Sequence, residues 1–206
     1  MSFADEVAVG AARLVVEEGL EYGAAKRKAA RDLGRRGGRR GELPRNEQVE
    51  DEVRAFIELF CADTQPAELR ALRELALGWM QRLAAFRPHL SGAVWRGTAT
   101  RQSSIHMDLY CDDSKSAQIG LLNLGIDADL SSLERPGAEP LSVLTVGARC
   151  AALGELVTLH LIVRDLDEQR GALKPDARGR SWRGDIAAVQ RQLAIDEDQG
   201  ATEGKP

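Results

Sequence analysis

What the chain has little of narrows what it can be. Cysteine is scarce: Cys61, Cys111 and Cys150 lie far apart, with no Cys-x-x-Cys spacing. Scattered thiols of this kind read as reduced core residues of a cytoplasmic protein rather than as a disulfide framework. Long apolar runs are missing too. None approaches the roughly 18 residues that a membrane span needs, and no N-terminal segment has the layout of a signal peptide. A soluble chain with no membrane partner is expected. Several catalytic signatures are also lacking: no GxxxxGK[ST], no HExxH, and no GxGxxG opening a strand–helix unit. No Ser-His-Asp constellation can be argued from spacing. Hydrolase and dinucleotide-enzyme readings therefore have no support. No internal repeat recurs at a fixed period.

What is present is enough for a folded core. The chain has 206 residues, of which 43% are hydrophobic and 29% charged, sufficient for a single domain or a pair of small ones. The net charge of −4 hides an uneven distribution. Lys26, Arg27, Lys28, Arg31, Arg35, Arg36, Arg39, Arg40 and Arg45 crowd one stretch whose acids are Asp32 and Glu42, while the tail beyond Ile195 is acidic. Such a basic segment fits RNA or DNA contacting Lys26–Arg45 with salt-sensitive affinity. It fits equally well a solvated helix running into a basic loop.

Along the chain, residues 4–33 read as helix, interrupted near Gly19 or Gly23, with Val7, Ala11, Leu14 and Val15 at the spacing of a buried stripe. Gly34 is placed to cap its end, and Arg35–Leu43 reads as a mobile Gly/Arg loop. Asn46 is a fair N-cap for a second helix with Val49, Val53, Phe56, Ile57 and Phe60 on one face. Asp63-Thr64 and Pro66 mark a fresh start, after which Leu69, Leu72, Ala76, Trp79, Leu83 and Phe86 form a long stripe. Trp79 reads as core. These stripes would serve a homodimer interface as well as an internal core.

Leu90–Asp113 is the stretch on which the rest hangs. After the small-residue turn Ser91-Gly92-Ala93 and Arg96-Gly97-Thr98, the residues alternate strictly: Ile105, Met107, Leu109 and Cys111 against Ser104, His106, Asp108 and Tyr110. Period two predicts a strand that buries the first set and shows the second on the opposite face. Asp112-Asp113-Ser114 then caps a helix through Leu122, stopped at Gly125. Residues 126–140 read as loop, with a short strand around Ile126. Leu141–Cys150 and Leu156–Arg164 form a hairpin, and His160 and Arg164 would share the face of His106 and Asp108 if the strands pair. Gly171–Gly184 shows no period. Asp185 caps a last helix with Ile186, Val189 and Leu193 inward, and residues after Asp196 read as a disordered acidic tail.

The central stretch resembles the nucleotidyltransferase superfamily, whose signature is Gly-Ser, about ten residues, then acid-x-acid on a strand. Leu90, Gly92, Arg96-Gly97-Thr98-Ala99, Ser103 and Ile105 stand where that pattern wants them. More narrowly it is similar to a divergent bacterial group with an N-terminal helical segment, a Gly-Thr-Ala run, an L-Y/F-x-D-x-x-K segment and an arginine-rich C-terminal segment. The resemblance implies an α+β fold: a helical region at 1–88, a small mixed sheet with flanking helices at 89–195, and the tail at 196–206. It also implies a nucleoside triphosphate held at the turn by Gly92, Ala93, Arg96, Gly97, Thr98, Ser103 and Ser104. Lys174, Arg178, Arg180 and Arg183 would form a lid over it, with Trp182 among them.

The departures bear on catalysis. Ala93 replaces the hydroxyl residue of the Gly-Ser pair, and the two metal-carboxylate positions hold Ser104 and His106. An active enzyme would have to use Asp108 as principal ligand of magnesium or manganese, with His106 as second ligand or general base. His160 would complete a two-histidine, one-carboxylate set suited to softer metals. The bland readings are a glycine turn needed for backbone freedom and histidines simply hydrogen-bonded on a sheet. The rival class is a catalytically silent module that binds nucleic acid or protein through the basic N-terminal stretch.

Overall fold

The computed structural model describes residues 1–34, 43–135, 137–176 and 178–203. The predicted loop arginines Arg35, Arg36, Arg39 and Arg40 therefore lie outside the described residues. The chain forms two compact units, one of Met1–Leu69 with Gly97–Ser103, the other of Arg70–Arg96 with Ser104–Pro206.

The first unit is built on helices α1 (Phe3–Glu18), α2 (Tyr22–Asp32) and α3 (Asn46–Phe60). Ser2 opens α1 with a capping box: its hydroxyl accepts from the Asp5 N–H while the Asp5 carboxylate accepts from the Ser2 N–H. The core is made of small residues, among them Val7, Ala11, Val15, Ala25, Ala29, Val49 and Val53, so the three helices approach closely. The helical run breaks at Gly19, which takes φ +67; a Cβ there would sit 2.0 Å from the Gln102 carbonyl oxygen. No other residue type is accommodated at that point. Phe60, expected on the buried stripe of α3, is instead 66% exposed. It falls in the last turn, beyond the buried Ile57, where its ring packs on that of Phe56 at 4.6 Å.

Helix α4 (Gln65–Arg82) begins in the first unit and carries most of the predicted stripe: Leu69, Leu72, Ala76 and Trp79 are buried on it and Leu83 just past its end, whereas Phe86 is only half-buried and Met80, not expected on the stripe, is fully buried. The second unit then adds β1 (His89–Ser91), α5 (Gly92–Arg96), β2 (Ile105–Cys111), α6 (Ser114–Asn123), β3 (Asp129–Arg135), β4 (Ala138–Cys150), β5 (Glu155–Asp165), β6 (Arg183–Gly184) and α7 (Ile186–Glu203). The fold class is α+β, a mixed six-stranded sheet in the order β3-β4-β5-β2-β1-β6 with helices flanking it. Only β2 and β5 run parallel; the other neighbours are antiparallel.

One sheet face is apolar throughout. Ile105, Met107 and Leu109 of β2 stand beside Leu159, Leu161 and Val163 of β5 and Leu144, Val146 and Ala148 of β4, all buried. On this side the Cys150 thiol of β4 reaches the Ala71 carbonyl of α4. The period-two reading of β2 thus holds for Ile105, Met107 and Leu109, whereas Cys111 is only half-buried and Asp108 and Tyr110 of the opposite set are buried as well. The expected loop at 126–140 instead contains β3 and the start of β4. Strand β3 is an edge strand with both faces exposed, so it buries no alternate set of side chains and leaves no period to read. Helix α7 runs to Glu203, past Asp196, whose carboxylate is held 2.7 Å from Arg73.

Candidate functional site

The opposite sheet face is polar, and the strand registers align its residues. Arg183 on β6 pairs with Ser91 on β1, Ser91 with His106 on β2, His106 with His160 on β5, and His160 with Thr145 on β4. Cross-strand partners share a face, so these five side chains form one row across the sheet. Neighbouring strands lie about 4.8 Å apart, which makes the row roughly 19 Å long. The rings of His106 and His160 are 4.9 Å apart at a 35° tilt, and His160 Nδ1 lies 3.2 Å from the Thr145 hydroxyl. Partial burial, helped by the neighbouring His106, pushes the His160 pKa below its ordinary value. At the end of β1 the chain turns through Gly92 at φ +68, and a Cβ there would touch the His106 ring at 3.5 Å.

Two positions further along β2 comes Asp108, only 1% exposed. Each of its oxygens receives a guanidinium Nε–H, Oδ1 from Arg164 and Oδ2 from Arg183, both at 2.5 Å. Arg164 also donates to Glu168 at 3.0 Å, and Arg135 donates to the same carboxylate at 2.9 Å. Burial works against the Arg164 charge, but Asp108 and Glu168 together hold its pKa above the ordinary value. Burial likewise opposes the Glu168 charge, and the two arginines overcome it and hold its pKa below the usual carboxylate value. Beside Asp108, Tyr110 is buried and meets the His89 ring edge-on at 5.0 Å.

Other predicted site residues are engaged within the fold. Arg96, assigned by the resemblance to phosphate, has its side chain 3% exposed; it donates to Asp176 and to the Ser181 carbonyl at 3.2 Å and stacks on Trp182. Trp95 donates to the Ser181 carbonyl at 2.8 Å, and Asp176 accepts the backbone N–H groups of Arg178 and Arg180. The Lys174–Arg183 stretch expected as a lid is therefore fastened to α5 by Arg96 and Trp95. Lys174 is exposed on it. In the first unit, buried Thr98 meets the Tyr22 hydroxyl at 3.0 Å, the Ser103 hydroxyl accepts from the Thr100 N–H, and the Gly97 carbonyl accepts from Gln65. Those hydroxyls serve the scaffold. Ala93 is buried in α5 and Ser104 half-buried before β2. Asp113 caps α6 through the Lys115 N–H, as expected.

The donor set at His106 and Asp108 does not fit a divalent cation. A hard ion needs carboxylate oxygens, and both of Asp108's are already taken by guanidinium groups. No group of three or more His, Cys, Asp or Glu side chains able to hold a metal ion exists among the described residues. In the basic N-terminal stretch, Lys26 donates to the Pro44 carbonyl and to Asn46, and Lys28 pairs with Glu18, whereas Arg27 and Arg31 face solvent.

That His106 and Asp108 share one face of their strand, and His160 and Arg164 one face of theirs, was legible from alternation; that the two strands pair was not. Nor was the Arg183–Asp108 bond, since it joins residues 75 apart through the two-residue strand β6. Its only sequence signal is an Arg-Gly pair in a stretch without period. The chain matches no family model, no curated protein and no solved structure. No helix among the described residues is long and apolar enough to cross a membrane.

Proposed function

We propose that the chain is a nucleotidyltransferase-like protein that binds a nucleotide across the polar sheet face, from the Gly92 turn along β2, and does not carry out metal-dependent transfer. The observation that carries this reading is the row Arg183–Ser91–His106–His160–Thr145, set in register across five strands. Donors and acceptors spread over such a length suit a ligand with a phosphate at one end and a polar base at the other. Arg183 marks the phosphate end, and Thr145 with His160 offers hydrogen bonds at the other. The glycine turn at Gly92 followed by the strand Ile105–Cys111 supports the same reading, because a glycine turn and then a strand is the order that the resemblance implies.

The test is a thermal-shift titration of the full chain with ATP, GTP, CTP and UTP, each with magnesium, with manganese and with EDTA. A ligand that binds only the folded state raises the midpoint by mass action. A rise with at least one nucleotide that survives EDTA is expected. A rise strictly dependent on metal would restore a transferase, and no rise with any nucleotide would sink the reading. In that last case the exposed Arg27 and Arg31 would make the basic N-terminal stretch, with an RNA or DNA partner, the reading to pursue.

A further inference from the structure

Asp108 lies just beyond Ser104 and His106, the positions where the resemblance asks for metal ligands, and its surroundings are those of an anchor. A carboxylate 1% exposed is costly unless compensated, and here two guanidinium groups compensate it. Both approach side-on through Nε, which is the decisive detail. A side-on contact uses one of the five guanidinium N–H groups and leaves the outer amino groups for something else. Arg183 makes no other side-chain hydrogen bond among the described residues, and its side chain is 26% exposed; Arg164 is 17% exposed and spends one amino group on Glu168. Arg183 thus keeps its outer amino groups unengaged at the end of the polar row, in register with Ser91 and, through it, with His106. Across the cluster, the guanidinium groups of Arg135, Arg164 and Arg183 face the carboxylates of Asp108 and Glu168, which leaves one net positive charge.

We infer that Asp108 is a positioning residue that holds Arg164 and Arg183 so that their outer amino groups bind a phosphoryl group directly, in place of a divalent cation. This rests on the nucleotide reading and adds to it the chemistry of recognition. The ligand class is a phosphate ester with at least one terminal, doubly accepting phosphoryl group, which a planar fork grips in bidentate fashion. A buried carboxylate behind the forks fixes their plane, so the arginines bind without first surrendering side-chain freedom. The half-exposed His106 and His160 border the same place and offer ring N–H donors or acceptors to the rest of the ligand.

The experiment is isothermal titration of the full chain with ATP, adenosine and inorganic pyrophosphate, in EDTA and again in magnesium. It is repeated with Arg183→Gln, Arg183→Lys and Asp108→Asn. The expected result is that ATP and pyrophosphate bind in EDTA while adenosine binds far more weakly. Arg183→Gln should weaken ATP on the order of tenfold to a hundredfold, with Arg183→Lys recovering only some of the loss because an ammonium has no fork. Asp108→Asn should weaken pyrophosphate comparably. Should that variant fail to fold, the variants at the partly exposed Arg183 carry the test alone. ATP binding only with magnesium would overturn the inference and leave the nucleotide reading standing. So would ATP binding that adenosine matches and Arg183→Gln leaves unchanged. Absence of binding to all three ligands would overturn both.

Discussion

At the scale of single residues, the polar face is a set of titratable groups whose state follows from what each one touches. His160 is the clearest case, because its pKa lies below the ordinary 6.5 through burial and the nearby His106. Above 6.5 the imidazole is neutral in the folded and the unfolded chain alike, so it contributes no pH dependence. As pH falls below 6.5 the unfolded chain takes up the proton first, and folding stability drops until the lower folded-state pKa is passed. The expected outcome is a melting temperature that declines on acidification from pH 7, with a shallower decline in His160→Gln; melting curves in a buffer series check it. Glu168 acts in a more acidic window. Its pKa is held below 4.5, so the stability it contributes is present above 4.5 and is lost as pH falls through the folded-state value. The two effects therefore separate on the pH axis.

At the scale of elements, caps and turns decide where helices stop. Gly19 and Gly34 both take positive φ, +67 and +79, but among the described residues only Gly19 has a neighbour in the way, the Gln102 carbonyl. Backbone strain alone makes Gly34→Ala cost about 1 kcal/mol. Gly19→Ala adds a steric conflict that the backbone must move to relieve, and should cost about 3 kcal/mol or more. Urea unfolding of the two variants, compared with the unaltered chain, checks the difference; equal losses would refute the role given to Gln102. Short α5 is held from several sides: buried Arg73 donates to the Val94 carbonyl, Arg96 and Trp95 reach the Ser181 carbonyl, and Gly184 leaves room for the Trp95 ring, which a Cβ would approach to 2.1 Å. A five-residue helix has little stability of its own. These contacts explain why residues without periodicity still adopt a defined course.

At the scale of the whole molecule, the sheet has an apolar face that stabilises the fold and a polar face that holds the proposed site. Leu161 is fully buried on the apolar side of β5, so Leu161→Ala should cost about 2–5 kcal/mol through lost burial and an added cavity. Leu130 on the edge strand β3 is largely exposed, and Leu130→Ala should stay within about 0.5 kcal/mol. Equilibrium denaturation of both variants tests whether β3 is a marginal edge or a structural strand. Ligand affinity should be unchanged by Leu130→Ala, since its side chain is not on the polar row. The division of faces matches the sequence: β5 alternates Leu159, Leu161 and Val163 with His160, Ile162 and Arg164, so one strand supplies the core and part of the polar face.

What the sequence determined by itself was local and periodic. Alternation along Ile105–Cys111 and along the hairpin fixed which residues face the core, because a strand's side-chain period is two whatever its neighbours are. The stripe on α4 and the cap at Asp113 follow from helix geometry in the same way. Pairing between distant segments was left open. That β2 lies parallel to β5, so that His106 meets His160, and that Arg183 returns beside Ser91 to reach Asp108, depends on which edges find each other. The same holds for Arg96, which the sequence offers as a phosphate ligand and the fold buries against Asp176. A charged side chain's role is set by its partner, and partners far apart in sequence are chosen only when the sheet closes around them.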